Sequence, residues 1–161
     1  MTRFTPAWWI ASGFGSGAAP TAPGTAGSLV GLVIGVALLH ASPLLLVAGI
    51  LVATFAGLWA IRAATGQALY GHVKGANDDP GWIVIDEIAG QMITLLAWHQ
   101  GSVMALALAF AFFRFFDISK LGPIGWADRQ GGAAGIMADD ILAGLAAALL
   151  LLLAEATLPL G

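Results

Sequence analysis

The sequence contains no cysteine and very little charge. Without thiols it has no disulfide scaffold and no thiolate ligand for zinc. Only 9% of its 161 residues are Asp, Glu, Lys or Arg, against roughly 25% in an average soluble domain. That leaves too little polar side chain to cover the surface of a soluble globule. Lys and Arg together number 6, which excludes nucleic-acid binding through a basic face. An apolar content of 59% excludes disorder. No Walker A, dinucleotide or zincin motif occurs, and no repeat or linker divides the chain. A single domain over residues 1–161 is expected.

What is present is a pattern of long charge-free runs. No charged residue lies between Phe4 and Ile61, or between Ile88 and Phe113. A membrane-spanning helix needs about 20 mostly apolar residues. Five segments read as spans: Ala26–Ala41, Pro43–Ala64, Trp82–Gln100, Ser102–Ile118 and Asp140–Pro159. They are rich in Ala and Leu and lack period-two alternation, so helices are expected rather than strands. The fold class expected is therefore all-α, a polytopic membrane helix bundle. The Trp8-Trp9 segment is too short for a signal peptide and reads as an interfacial anchor. Whether the residues before Ala26 cross, re-enter or lie flat is left open by composition.

With the N-terminus in the cytoplasm and five crossings, all six basic residues fall on the inner side or at its helix ends. The same parity puts Asp78, Asp79, Asp117, Asp128, Asp139 and Asp140 at the inner surface, with Asp86 and Glu87 slightly below it. His40, His99 and Glu155 fall at the outer side as ordinary interfacial residues, and His72 reads as a solvated loop residue.

The acids repay closer reading. Asp79 before Pro80, and Asp139-Asp140 before Ile141, look like helix starts, where one carboxylate caps the helix and favours its dipole. Capping needs only one acid, so two adjacent pairs exceed it. A helix starting near Pro80 would carry Asp86-Glu87 about two turns inside the membrane, where acids mark function by default. Asp79 and Asp86 would share a helix face yet lie too far apart axially for one ion. A second segment, with Asp139 or Asp140, is needed. Two like charges 4 Å apart repel by about 4 kcal/mol at an effective dielectric of 20, so protons or a cation must hold the group together. All-oxygen donors point to a hard ion such as Mg²⁺. Gly90 and Gly144, each four residues after an acid, would let the two helices approach closely.

Arg114, Asp117 and Lys120 are spaced three apart. Beside a carboxylate cluster they read as an anion clamp, with Asp117 steadying the bases. Two Gly-rich segments, 13–17 and 22–28, are weak candidates for presenting backbone N–H groups to a phosphate.

Four ordered motifs now stand out: Gly13-Phe14-Gly15-Ser16-Gly17 with Ala22-Pro23-Gly24-Thr25; Asp78-Asp79-Pro80 with Ile83 through Gln91; Phe113 through Lys120 with Pro123-Ile124; and Gly135 through Asp140 with Ala143-Gly144. In these the chain resembles the phosphatidylglycerophosphatase A family of bacterial membrane lipid phosphatases. One departure is Leu121, where the family tends to have proline after the lysine. The resemblance implies Mg²⁺-dependent hydrolysis of the terminal phosphomonoester of phosphatidylglycerophosphate. It also implies a multi-pass protein of the bacterial cytoplasmic membrane with its site facing the cytoplasm. The substrate would be a membrane phospholipid, with no nucleic acid and no obligate protein partner.

On this reading Asp79, Asp86, Asp139 and Asp140 hold the metal, and Asp86, Glu87, Asp139 and Asp140 carry catalysis. Arg114 and Lys120 take phosphate oxygens, with Lys74 a weaker third. Asp78, Asp117, Asp128 and Gln91 support them. The nucleophile is a water activated beside the ion, with Glu87 or Asp140 accepting its proton, or else an aspartate that forms a phosphoenzyme. Cysteine-dependent phosphatase chemistry is excluded. Rival readings are an ion-coupled transporter, which would spread acids through the bilayer depth, and a lipid phosphotransferase, whose Asp-Gly-x-x-Ala-Arg stretch is missing.

Overall fold

The structure is a computed structural model that describes residues 4–71, 80–99 and 102–158. Among these residues there are seven α-helices and no strand. They are α1 (Pro6–Ala11), α2 (Pro23–Ala41), α3 (Pro43–Thr65), α4 (Ile85–Thr94), α5 (Val103–Ser119), α6 (Pro123–Asp128) and α7 (Gly132–Thr157). The all-helical expectation holds.

Local chemistry sets the boundaries. Pro23 and Pro43 stand at the first helical positions of α2 and α3, where a missing N–H costs nothing. The Ser42 hydroxyl accepts from the Leu44 N–H at 3.2 Å and turns α2 into α3 within one residue. Ser102 does the same for α5, accepting from Ala105 at 3.1 Å. At the far end of α5, Lys120 adopts a left-handed conformation with φ 50° and stops the helix.

Three helices, α2, α3 and α7, are long and apolar enough to cross a membrane. Their outward faces carry large exposed apolar residues, including Val33, Leu44, Val52, Phe55 and Leu149. Helix α5 has 17 residues, about 25 Å of rise. The segment expected to span from Trp82 to Gln100 is different. Its helix α4 begins only at Ile85 and has 10 residues, about 15 Å, half the hydrocarbon thickness. A 3-10 turn at Leu95–Ala97 follows it. Nine of the ten α4 residues are buried, so α4 is the central helix of the bundle and not a lipid-facing span.

Residues 80–84 are not helical. The Ile83 N–H closes a turn on the Pro80 carbonyl, and the Val84 N–H donates to Ala11 at the end of α1. The N-terminal segment thus packs under the start of α4. Gly17 sits directly against the Trp82 carbonyl, and a side chain there would collide with that backbone.

Helices α4 and α7 touch backbone to backbone. A Cβ on Gly90 would lie 2.5 Å from the Asp140 carbonyl oxygen, and one on Gly144 would strike the Gly90 carbonyl. The Thr94 hydroxyl reaches the carbonyls of Gly90 at 3.2 Å and Gly144 at 3.3 Å, tying the helices together. The close approach expected from Gly90 and Gly144 is what the structure has. One end of the bundle therefore gathers the starts of α2, α4 and α7 and the end of α5. At the opposite end the His40 ring packs on Trp98 at 5.9 Å, and His99 pairs with Glu155.

Candidate active site

Because α4 starts at Ile85, Asp86 and Glu87 lie in its first turn, where the helix dipole favours negative charge. They are not two turns in, and Pro80 does not begin the helix. The second acidic pair is displaced the other way. Helix α7 starts at Gly132, so Asp139 and Asp140 sit about two turns inside it and cap nothing. Both are 3% exposed, and Asp86 is 4% exposed. The capping explanation for Asp139-Asp140 is thereby removed.

Adjacent residues on a helix point about 100° apart, and this separates the pair. Asp140 faces α4. Carboxylate oxygens of Asp86, Glu87 and Asp140 lie within 4.8 Å of one another. Asp139 faces the other way, and its Oδ2 meets Lys120 Nζ. Lys120 also donates to Asp128 Oδ1 at 2.8 Å. Burial alone would lower the lysine pKa, but attraction to Asp139 and the hydrogen bonds to Asp128 and Asp139 outweigh it and push the pKa up. Lys120 is thus a fixed cation between α6 and α7.

The three acids can share this volume only with a cation or a shared proton among them. At 4.8 Å each ionised pair repels by about 3.5 kcal/mol at an effective dielectric of 20. The α4 dipole offsets at most about 2 kcal/mol in a partly buried site. Asp140 Oδ1 is buried with no hydrogen-bond partner among the described residues. An all-oxygen donor set with an unspent buried oxygen fits a hard divalent cation.

The basic side of the site hangs on α5. Arg114 Nη1 binds Asp117 Oδ2 one turn on, and also donates to the Ser28 hydroxyl of α2 at 3.2 Å. Gly24, in the first turn of α2, has no side chain because one would run into both the Glu87 carboxylate and the Arg114 guanidinium. The α2 start is therefore where the acidic and basic halves meet. No side chain caps it, and first-turn N–H groups have no partner within a helix.

The other Gly-rich segment has no such role. Between Gly13 and Ala19 every backbone N–H already donates to a nearby carbonyl. That loop cannot cradle a phosphate; it packs against Val84 and Ile88. Gln91, one turn beyond Glu87, is fully buried, and neither amide atom has a hydrogen-bond partner among the described residues. Lys74, Asp78 and Asp79, and with them His72, lie outside the described residues. Ser28 escaped notice as an individual residue. Its signal was a hydroxyl four residues after Gly24, among the helix-facing glycines 27, 31 and 35.

The family model for phosphatidylglycerophosphatase A matches residues 9–155. A Bacteroides thetaiotaomicron protein named putative phosphatidylinositol-3-phosphatase is 39% identical over 155 residues, covering 91% of each chain. Phosphatidylglycerophosphatase A of Haemophilus influenzae is 39% identical over 150 residues, covering 90% of this chain and 86% of its own. That of Escherichia coli is 34% identical over 153 residues, covering 94% and 85%. No solved structure matches. With these matches running through all four motifs and the charged end of the bundle, the chain belongs to the phosphatidylglycerophosphatase A family and is a phosphatase.

Proposed function

We propose that the protein hydrolyses the terminal phosphomonoester of phosphatidylglycerophosphate to phosphatidylglycerol and phosphate, using Mg²⁺, at the cytoplasmic face of the bacterial inner membrane. The observation that carries this reading is the juxtaposition at Gly24: a three-carboxylate group, with Asp86 and Asp140 buried and Glu87 half-buried, on one side and a buttressed arginine on the other. A phosphomonoester needs both, since its charge must be neutralised before a nucleophile approaches.

Asp86, Glu87 and Asp140 would hold the ion, and Asp79 is a fourth candidate from outside the described residues. When bound, Mg²⁺ neutralises phosphate charge and lowers the pKa of nearby water. Arg114 takes phosphate oxygens through the N–H groups that Nη1 leaves unspent, and Lys120 supplies a fixed positive charge through a third ammonium proton. Lys74 is a further candidate for the phosphate. Glu87 or Asp140 accepts the proton of the attacking water, and the leaving glycerol oxygen takes a proton from solvent as the P–O bond breaks. Asp139 keeps Lys120 in place, while Asp117 does the same for Arg114. Asp78, Asp128 and Gln91 support the set.

The inner-face assignment rests on the distribution of the basic residues, since Arg62, Arg114, Lys120 and Arg129 all belong to the end that holds the acids. Because the chain has no cysteine, single-cysteine variants at Ser119 and His40 test it with an impermeant reagent. Labelling of Ser119→Cys from the periplasm would reverse the assignment.

The reaction is tested with purified protein in detergent. Phosphate release from phosphatidylglycerophosphate in Mg²⁺, abolished by EDTA, is expected. The Bacteroides relative's name points to phosphatidylinositol 3-phosphate, which presents the same phosphomonoester chemistry. Turnover of that lipid alone would replace the proposed substrate. In oxygen-18 water, label that enters the released phosphate only from the second turnover on would count against direct water attack.

A further inference from the structure

We infer that Ser28 is a positioning residue that sets the arginine of the phosphate clamp. Its hydroxyl is fully buried on the face of α2 that meets α4 and α5. The hydroxyl donates to the Gly24 carbonyl at 2.8 Å, one turn back along its own helix. That spends its only proton and leaves its lone pairs to accept. What it accepts from is Arg114 Nη1, at 3.2 Å, and a guanidinium can only donate.

The hydrogen bonds of Arg114 among the described residues all fall on Nη1, shared between Ser28 and Asp117. Nε is buried without a partner among the described residues. The two anchors come from different helices, α2 and α5, so they fix the plane of the guanidinium as well as its position. A pinned Nη1 leaves the other N–H groups of the fork for oxyanion oxygens, the bidentate geometry that distinguishes arginine from lysine. Packing alone gives no reason for a hydroxyl here. An alanine would leave only one atom's space empty, and a serine bonded to the carbonyl four residues back slightly disfavours its own helix.

This inference rests on the reading of Arg114 as a phosphate ligand, and the test keeps the two apart. Ser28→Ala, Arg114→Lys and the double variant are compared in detergent for kcat/KM on phosphatidylglycerophosphate and for binding of inorganic phosphate by calorimetry. A hydrogen bond to a charged group supports an expected loss of about tenfold for Ser28→Ala in both measurements. In the Arg114→Lys background the same change should cost nothing, because Ser28 acts through the fork that lysine lacks. Ser28→Thr, which keeps the hydroxyl, should recover most of the loss. If Ser28→Ala is too unstable to assay, Ser28→Cys, close in volume but a poor acceptor, carries the same expectation.

Losses that multiply in the double variant, or a silent Ser28→Ala beside an impaired Arg114→Lys, overturn the role of Ser28. An Arg114→Lys protein with wild-type turnover and phosphate binding overturns the clamp and the inference with it. A wild-type protein that binds phosphate but releases none from the lipid overturns the proposed reaction instead, and the isotherms then decide Ser28 alone.

Discussion

Gly90 of α4 rests directly on Asp140 of α7, so close that a single methyl group there would come within 2.5 Å of the Asp140 carbonyl oxygen and of the Phe113 ring. This contact brings the backbone of one acidic segment onto the backbone of the other. It is the reason carboxylates from residues 86, 87 and 140 share one small volume.

Gly90→Ala should therefore disable the protein. Alanine gains about 1 kcal/mol in helix propensity, but forcing a methyl into a packed backbone contact costs about 1–3 kcal/mol, and a carbonyl cannot swing aside as a flexible side chain can. We expect a lower thermal midpoint and a loss of more than about tenfold in phosphate release, as α7 is pushed from α4. Wild-type behaviour in both measurements would contradict the close-packed arrangement.

Asp140→Asn should separate stability from activity. Removing one of three repelling charges relieves about 3.5 kcal/mol per ionised pair, so the metal-free protein should melt no lower than wild type. Turnover should fall about a hundredfold or more. Mg²⁺ should raise the melting point of the wild type by mass action and leave the variant unmoved. A variant stabilised by Mg²⁺ as strongly as wild type would remove Asp140 from the metal site.

Lys120 and its two partners should respond unequally. The Asp139 side chain is 4% exposed and the Asp128 side chain 42%. Lys120→Met leaves a buried carboxylate without its cation, a change that costs about 3–5 kcal/mol. Asp128→Ala breaks an exposed pair worth about 1 kcal/mol or less. Chemical denaturation in detergent would show the order, and equal losses would contradict it.

The two Gly-rich segments should also part company. Gly17→Ala meets the Trp82 backbone and should chiefly lower stability, by about 1–3 kcal/mol. Gly24→Ala meets the ends of the Glu87 and Arg114 side chains, which can move. Its thermal midpoint should shift little while kcat/KM falls about tenfold or more, since misplaced groups act poorly. Comparing melting with turnover for the two variants checks the distinction.

Much of the site was legible because charge is scarce. In a chain with 15 charged residues, the clustering of acids in three adjacent pairs and of Arg114, Asp117 and Lys120 at one helix end already marked the candidate site. Gly90 and Gly144 were readable for the same reason: each lies one turn past an acid, where only a small residue permits contact. Local signals failed at the helix starts. Asp-Asp before an apolar run looks like a cap wherever it occurs, yet Gly132 through Ala138 extends α7 ahead of its pair. Pro80 looks like a first helical residue, yet residues 80–84 turn to meet the end of α1.

Composition by itself determined an all-helical chain that avoids water, and the scarcity of charge singled out the candidate site residues. Only the tertiary structure decided that α4 is a short, buried central helix and not a lipid-facing one, because lipid and a protein core demand the same apolar side chains. It alone divided the second acidic pair, sending Asp140 to the carboxylate group and Asp139 to Lys120. Each helix's start and its rotation about its own axis decide which way a side chain points. Contacts with segments distant along the chain set both.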